Sequence, residues 1–279
     1  MDYLLDNQKS REECVEYLRK EGILNYFDIE EKKSHSIFDA VDEGNLVPFE
    51  PVPEDLYRLH TLIRQRKVFN VLEFGLGYST IVMADALMKN SKEFYSNPDR
   101  PEVRLKNPFV IYSVDSSEYW IKNFNLLYKS KFPYMDYIKL HFSKCSIGTW
   151  YGQLCHYYDN LPNVVTDFIY LDGPSANDVE GKINGLSFQH CPERTVMSAD
   201  LLLMEPTMLP GTMILVDGRT NNARFLMNNF RRNFGRYYIE NQDATVFELQ
   251  ELPLGKINRD QIDYSLGTEY YDRIQPKVE

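Results

Sequence analysis

Five short apolar runs, spaced along the middle of the chain, restrict its fold more than any other feature. They are VFNVLEF (68–74), FVIYSVD (109–115), DYIKLHF (136–142), DFIYLD (167–172) and TMILVD (212–217). Runs of this length and composition read as strands buried on both faces. The segments between them, 79–90, 117–129, 148–160, 193–206 and 221–233, are expected helices. Strands alternating with helices imply an α/β fold, a parallel sheet with helices on both faces. The rhythm breaks at the end, where RYYIE (236–240) and ATVFELQE (244–251) are parted only by NQD. A linker that short rules out a helical crossover, so these two strands pair antiparallel. The expected sheet therefore has seven strands, mostly parallel, closed by a C-terminal hairpin.

The flanks read differently. SREECVEYLRKEG (10–22) is an expected helix, with Ser10 as cap, Glu13 at the capping-box offset and Gly22 as stop. The proline-rich stretch VPFEPVPED (47–55) is expected to be extended. A helix over 54–66 follows, with Leu56, Leu59, Leu62 and Ile63 on one face. The expected division is a helical and extended appendage over 1–53, a main domain over 54–251 and a tail over 252–279.

Composition narrows the function classes. With 279 residues, 43% of them hydrophobic, the chain can bury a substantial core. A net charge of −10 argues against a broad phosphate-backbone contact, so no nucleic-acid partner is expected. Arg231, Arg232 and Arg236 form only a local basic cluster. No apolar run is long enough to span a bilayer, and Met1-Asp2-Tyr3 begins no signal peptide. Cys14, Cys145, Cys155 and Cys191 are scattered without a CxxC pair, which suits reduced thiols and a cytoplasmic location. No membrane partner is expected, and a homodimer is left open.

Acids stand at the ends of four of the five strands: Glu73, Asp115, Asp172 and Asp217. Each alone fits a turn or a helix cap. As a set at one sheet edge they repel one another, and that edge is where open α/β sheets bind ligands. Gly75 and Gly77 follow Glu73 and permit a tight turn and close backbone approach. A dinucleotide fingerprint G-x-G-x-x-G needs a third glycine where this chain has Thr80. An acid two residues before the first glycine suits a cationic ligand better than a phosphate.

These motifs together resemble the class I S-adenosylmethionine-dependent methyltransferases, whose fold is Rossmann-like. LEFGLGYST is similar to the family's first motif and YSVD to its second-strand acid. DFIYLDGP is similar to its fourth-strand motif and LPGTMILVDG to its fifth-strand motif. The resemblance covers roughly 54–251. It implies S-adenosyl-L-methionine as cofactor, with Glu73, Gly75, Gly77, Ser79 and Thr80 around its methionine part and Asp115 on the ribose hydroxyls. Ser116 and the SKCS turn containing Cys145 would border the adenine, and Asp172 would face the methyl group. The interval from Glu73 to Asp115 is about twice that of a minimal unit, which fits an insertion over 96–108.

The implied activity is methylation of an oxygen on a small polar acceptor, a saccharide or a tailored metabolite. Two alternatives are a non-catalytic cofactor-binding or interaction module and an NAD-dependent oxidoreductase. Asp172 and Asp217 resemble the acids with which metal-dependent catechol and caffeoyl-coenzyme A O-methyltransferases hold a divalent ion such as Mg2+. Two positions depart from that subfamily: Gly218 stands where it has asparagine and Ser175 where it has lysine. A protein base is the other route to deprotonation, and His190, at the end of the loop 173–190, is the candidate, ahead of Asp178 and Glu180. Arg219 and Arg224 are positioned in sequence to clamp an anionic or sugar-linked acceptor.

Overall fold

A computed structural model describes residues 9–27, 29, 50–191 and 193–274. Helix α1 (Arg11–Lys20) starts at the expected capping box, in which Glu13 N donates to Ser10 Oγ and Ser10 N donates to Glu13 Oε2. Most of the expected appendage, including 47–49 of the proline-rich stretch, lies outside the described residues. Helix α2 (Pro53–Gln65) leads into strand β1 (Asn70–Phe74). Then come α3 (Tyr78–Ser96), β2 (Val110–Asp115), α4 (Glu118–Tyr128) and β3 (Ile138–Phe142). Helix α3 is longer than expected, so helix and insertion share the extra length before β2.

Strands β4 (Cys145–Trp150) and β5 (Gln153–Tyr158) replace the helix expected over 148–160. The reason is visible at Tyr151 and Gly152, which have φ of 46° and 79°. Two consecutive left-handed residues make a tight hairpin turn, and the aromatic and β-branched residues around it favour strands. Strand β6 (Phe168–Leu171) returns to the main sheet, and β7 (Val179–Glu180) joins β4 and β5 in a separate three-stranded sheet.

The helix expected over 193–206 shrinks to α5 (Asp200–Met204), because the backbone before it is spent on β5. His156 N donates to Met197 O and Ala199 N donates to His156 O. The chain ends with β8 (Met213–Asp217), α6 (Thr220–Asn229), β9 (Phe234–Ile239), β10 (Ala244–Leu249), α7 (Gly255–Ser265) and α8 (Glu269–Ile274).

The seven-stranded sheet has the order β3-β2-β1-β6-β8-β10-β9, with β10 antiparallel to both neighbours and the other pairs parallel. The expected sheet and closing hairpin are therefore present. Alternate residues feed two cores. Val71, Ile111, Tyr170 and Leu215 pack on one face, and Leu72, Val114, Ile169 and Ile214 on the other. Register aligns the strand ends: Phe74 pairs with Val114 and with Leu171, and Leu171 pairs with Val216. Gly75, Asp115, Asp172 and Asp217, one residue further on, consequently share one edge. No helix among the described residues is long and apolar enough to cross a membrane.

Polar contacts fasten both flanks. Tyr17 Oη lies 2.7 Å from His60 Nδ1, and His60 Nε2 lies 3.0 Å from Asp85 Oδ2. Lys89 bridges Asp85 and Glu21, which ties α1 to α2 and α3. At the other end Tyr270 is fully buried, and its hydroxyl donates to the carbonyl of Glu251 at 2.7 Å. Arg66 and Arg273 both pair with the buried Glu248 at 2.8 Å. Ending the chain at Glu251 removes this buried tyrosine, and losses of large buried side chains cost about 3–5 kcal/mol. The expected outcome is a melting temperature lower by about 10 °C in thermal unfolding followed by circular dichroism. An unchanged value would mean that the packing of α7 and α8 adds nothing to stability.

Candidate active site

The turn after β1 is built around Glu73, which has no exposed surface. Ser79 Oγ donates to one carboxylate oxygen at 2.5 Å and Thr80 Oγ1 to the other at 2.6 Å. Thr80 Oγ1 in turn accepts from Gly77 N at 3.1 Å. The acid thus holds the glycine turn in shape, and it reaches a ligand only through those hydroxyls. Burial pushes its pKa up to about 7, against the opposing pull of the Ser113, Ser79 and Thr80 hydroxyls.

Gly75 has φ of 103°, a left-handed conformation that favours glycine. A Cβ there would meet Gly173 N at 3.1 Å, and a Cβ on Gly173 would meet Gly75 N at 2.8 Å. The turns after β1 and β6 therefore pass backbone against backbone. No side chain fits between them, which leaves peptide groups as the floor of the edge.

Asp115 binds this turn to β2. Its two oxygens accept from Leu76 N at 2.9 Å and Ser117 N at 2.7 Å. One lone pair per oxygen is left over, which is what two ribose hydroxyls require. Burial raises its pKa, while those two amides oppose the rise. Ser116 Oγ donates to Asp178 Oδ2 at 3.0 Å, linking this end of β2 to the loop after β6. Cys145, expected beside an adenine, is fully buried in the core under the small sheet. Its side chain packs inward because β4 starts there, so its thiol is no part of the edge.

Asp172 remains open, with 52% of its side chain exposed. The protein around it still strips hydration and pushes its pKa upward; Arg219 opposes that push, and Asp217 and Asp55 add to it. Water reaching the open side moderates the rise. Arg219 Nε lies 3.7 Å from Asp172 Oδ1, while its other nitrogens donate to the carbonyls of Asp172 and Pro174.

Asp217 is held differently. Both of its oxygens accept from Arg58 Nη2 at 2.9 Å, and Oδ2 also accepts from Tyr170 Oη at 2.7 Å. Arg58 pairs with Asp55 at 3.0 Å as well. A divalent ion expected between Asp172 and Asp217 does not fit this arrangement, because two guanidinium groups already supply the positive charge. Among the described residues, three ligand side chains converge only at Glu21, His60 and Asp85, where Lys89 already serves as the cation.

His190 is exposed and makes no hydrogen bond among the described residues, and Arg224 is exposed on α6. Glu180 pairs with Lys144 at 3.3 Å on the surface. Arg58, Asp55 and Tyr170 border the same edge, and the sequence reading did not single them out. Arg58 precedes Asp217 by 159 positions, so only the fold brings them together. Tyr170 carried a signal: it lies two residues before Asp172 in a strand, on the same side of the pleat.

No protein-family model matches the chain, and no curated protein does. Searches of solved structures match an O-methyltransferase from Bacillus cereus in complex with S-adenosylhomocysteine at 15% identity and a TM-score of 0.41, over 88% of this chain and 94% of that one. They also match an O-methyltransferase of tomaymycin synthesis from Streptomyces achromogenes, in complex with S-adenosylmethionine, at 14% identity and a TM-score of 0.39, over 88% and 91%. A methyltransferase from Podospora anserina bound to S-adenosylhomocysteine matches at 13% identity and a TM-score of 0.46, over 90% and 93%.

Glu73 gives the first test of the site. A carboxyl group whose folded pKa is raised keeps full stability below its unfolded pKa and loses it as the pH climbs to the folded value, here about 7. Glu73→Gln cannot ionise and escapes that loss. Relative to wild type, the variant is expected to gain stability from pH 4.5 to 7.5 in urea unfolding, by about 1.4 kcal/mol per unit of pKa shift. A difference that stays flat with pH would mean that Glu73 ionises freely where it is.

Proposed function

We propose that the chain is an S-adenosylmethionine-dependent methyltransferase that methylates a hydroxyl oxygen of a small polar acceptor. One observation carries this reading: in-register strand ends set a bare peptide floor at Gly75 and Gly173 between the Asp115 carboxylate and the open Asp172 carboxylate. Asp115 offers acceptors for the ribose hydroxyls, and the Gly75–Thr80 turn, shaped by Glu73, borders the methionine part.

Bound S-adenosylmethionine supplies an electrophilic methyl group on a sulfonium. With the cofactor held there, that methyl would pass to the acceptor oxygen and sulfur would leave with the bonding electrons, so this chain's residues have to supply alignment and a proton acceptor. The hydroxyl proton passes to Asp172, whose exposure lets an acceptor reach it and whose raised pKa strengthens it as a base. Because the base must be ionised, turnover rises with pH through the pKa of Asp172. Asp217, paired with Arg58, fixes Tyr170 beneath the site. Arg58 and Arg219 leave no role for a divalent ion. Free cysteines at Cys14, Cys145, Cys155 and Cys191 support a reducing, cytoplasmic setting.

Calorimetric titration with S-adenosylhomocysteine tests the cofactor. The wild type is expected to bind with a Kd on the order of micromolar, and Asp115→Ala to weaken binding at least about tenfold, the loss of a charge-assisted hydrogen bond. No binding, or binding of NAD instead, overturns the reading. With labelled methyl donor and a panel of hydroxylated acceptors, Asp172→Asn is expected to lower turnover by about a hundredfold or more, with cofactor affinity within a few fold. Cofactor binding without any labelled acceptor leaves the non-catalytic module standing.

A further inference from the structure

The loop after β6 runs from the reacting centre to the ribose end of the edge. Asp172 starts it, and Asp178 lies further along, against the end of β2, where its Oδ2 accepts from Ser116 Oγ at 3.0 Å. The backbone at Asp178 is fixed on both sides. Before it, Ser175 opens the 3-10 turn Ala176–Asp178, and the Ser175 carbonyl accepts from Asp178 N at 3.1 Å. After it, Val179 and Glu180 form β7 and pair with Cys145 and Ser146 of β4. Three segments remote in sequence therefore meet: Ser116 after β2, the SKCS segment (143–146) and Asp178. The resemblance sets the first two beside an adenine, whereas from the sequence Asp178 is only a candidate base. The structure moves it away from the reacting centre, because β1 stands between β2 and β6 in the sheet.

We propose that Asp178 is a specificity residue for the cofactor, accepting a hydrogen bond from the exocyclic amino group of its adenine. The proposal rests on the methyltransferase reading and adds a residue to its cofactor site. The ribose anchor decides where the base lies. Adenine is joined to the ribose that Asp115 holds, and Ser116, the next residue, carries the Asp178 carboxylate on its hydroxyl. Among the described residues no hydrogen bond engages Asp178 Oδ1, so the half-buried carboxylate keeps an acceptor for a ligand. Neighbouring groups do not take it up: Ser143 Oγ donates to Lys144 O, and Lys144 Nζ pairs with Glu180 at 3.3 Å.

The chemistry selects the purine. An ionised carboxylate only accepts hydrogen bonds, so it rewards a donor and penalises an oxygen in the same place. Adenine presents an amino group there; hypoxanthine presents a carbonyl oxygen, which would leave two acceptors facing each other. Asp115 belongs to the same arrangement, since the Asp178 charge is one of the influences that raise its pKa. Two carboxylates this close suit a ligand that brings donors to both, as ribose hydroxyls and an adenine amino group do.

Calorimetry on the full chain with S-adenosylhomocysteine and S-inosylhomocysteine tests this, because the two differ only at that ring substituent and its neighbouring proton. The wild type is expected to bind the adenosyl compound at least about tenfold more tightly. Asp178→Asn keeps an oxygen for Ser116 and turns the free acceptor into a donor. This variant is expected to fold with an unchanged melting temperature and to bring the two affinities within about threefold of each other. Asp178→Ala, which removes the acceptor outright, is expected to narrow the ratio in the same way. The proposal is overturned if the wild type binds both compounds equally, or if either variant keeps the wild-type ratio. Equal binding of both sinks the role of Asp178 alone and leaves the cofactor reading in place, whereas binding of neither sinks both.

Discussion

The close passage of Gly75 against Gly173 is the contact on which the site depends. Two parallel strands can end side by side with bulky side chains only if their turns diverge. Here they do not diverge: Gly75 N donates to Val114 O at 2.9 Å and Asp172 N donates to Phe74 O at 3.0 Å, which extends the ladder into the turns. Any Cβ at either glycine falls on backbone of the other turn. The result is an edge lined by peptide groups, with acids placed to either side by sheet register and not by loop flexibility.

That placement creates an electrostatic problem, because four acids converge where strand register puts them. Each is answered by a different local chemistry. Glu73 receives two hydroxyls, Asp115 two backbone amides, and Asp217 a guanidinium and a phenol. Asp172 alone stays open to solvent, with a guanidinium at longer range. A carboxylate bound by a guanidinium and a phenol is a poor proton acceptor for a substrate, whereas a solvated one beside a bare floor is open to it. The division of labour between Asp217 and Asp172 thus follows from their partners, although they occupy equivalent positions at the ends of neighbouring strands.

The strands were legible because burial on both faces writes itself as short apolar runs, and the closing hairpin because NQD is too short for anything else. The β4–β5 hairpin was missed: 148–160 falls where the strand–helix alternation calls for a helix, and the Tyr151–Gly152 turn has no Asn-Gly or Asp-Gly signature. At the site, the acids and glycines of the strand ends could be read because they lie inside local motifs. Arg58 could not, since its partner Asp217 lies 159 positions away and only the packed fold brings the two together. Cys145 failed for a related reason: its neighbours in sequence face the edge, but strand alternation turns its own side chain into the core.

The missed hairpin also bears on how Asp172 is held. β5 pairs with 197–199, and Asn222 of α6 accepts from Ser198 N at 3.1 Å, which docks α6 against that segment. Arg219 immediately precedes α6, and two of its nitrogens donate to the carbonyls of Asp172 and Pro174 while Nε lies 3.7 Å from Asp172 Oδ1. The guanidinium that tempers the open carboxylate is thus set in place by packing that the hairpin creates, and the base is positioned by α6 as well as by sheet register.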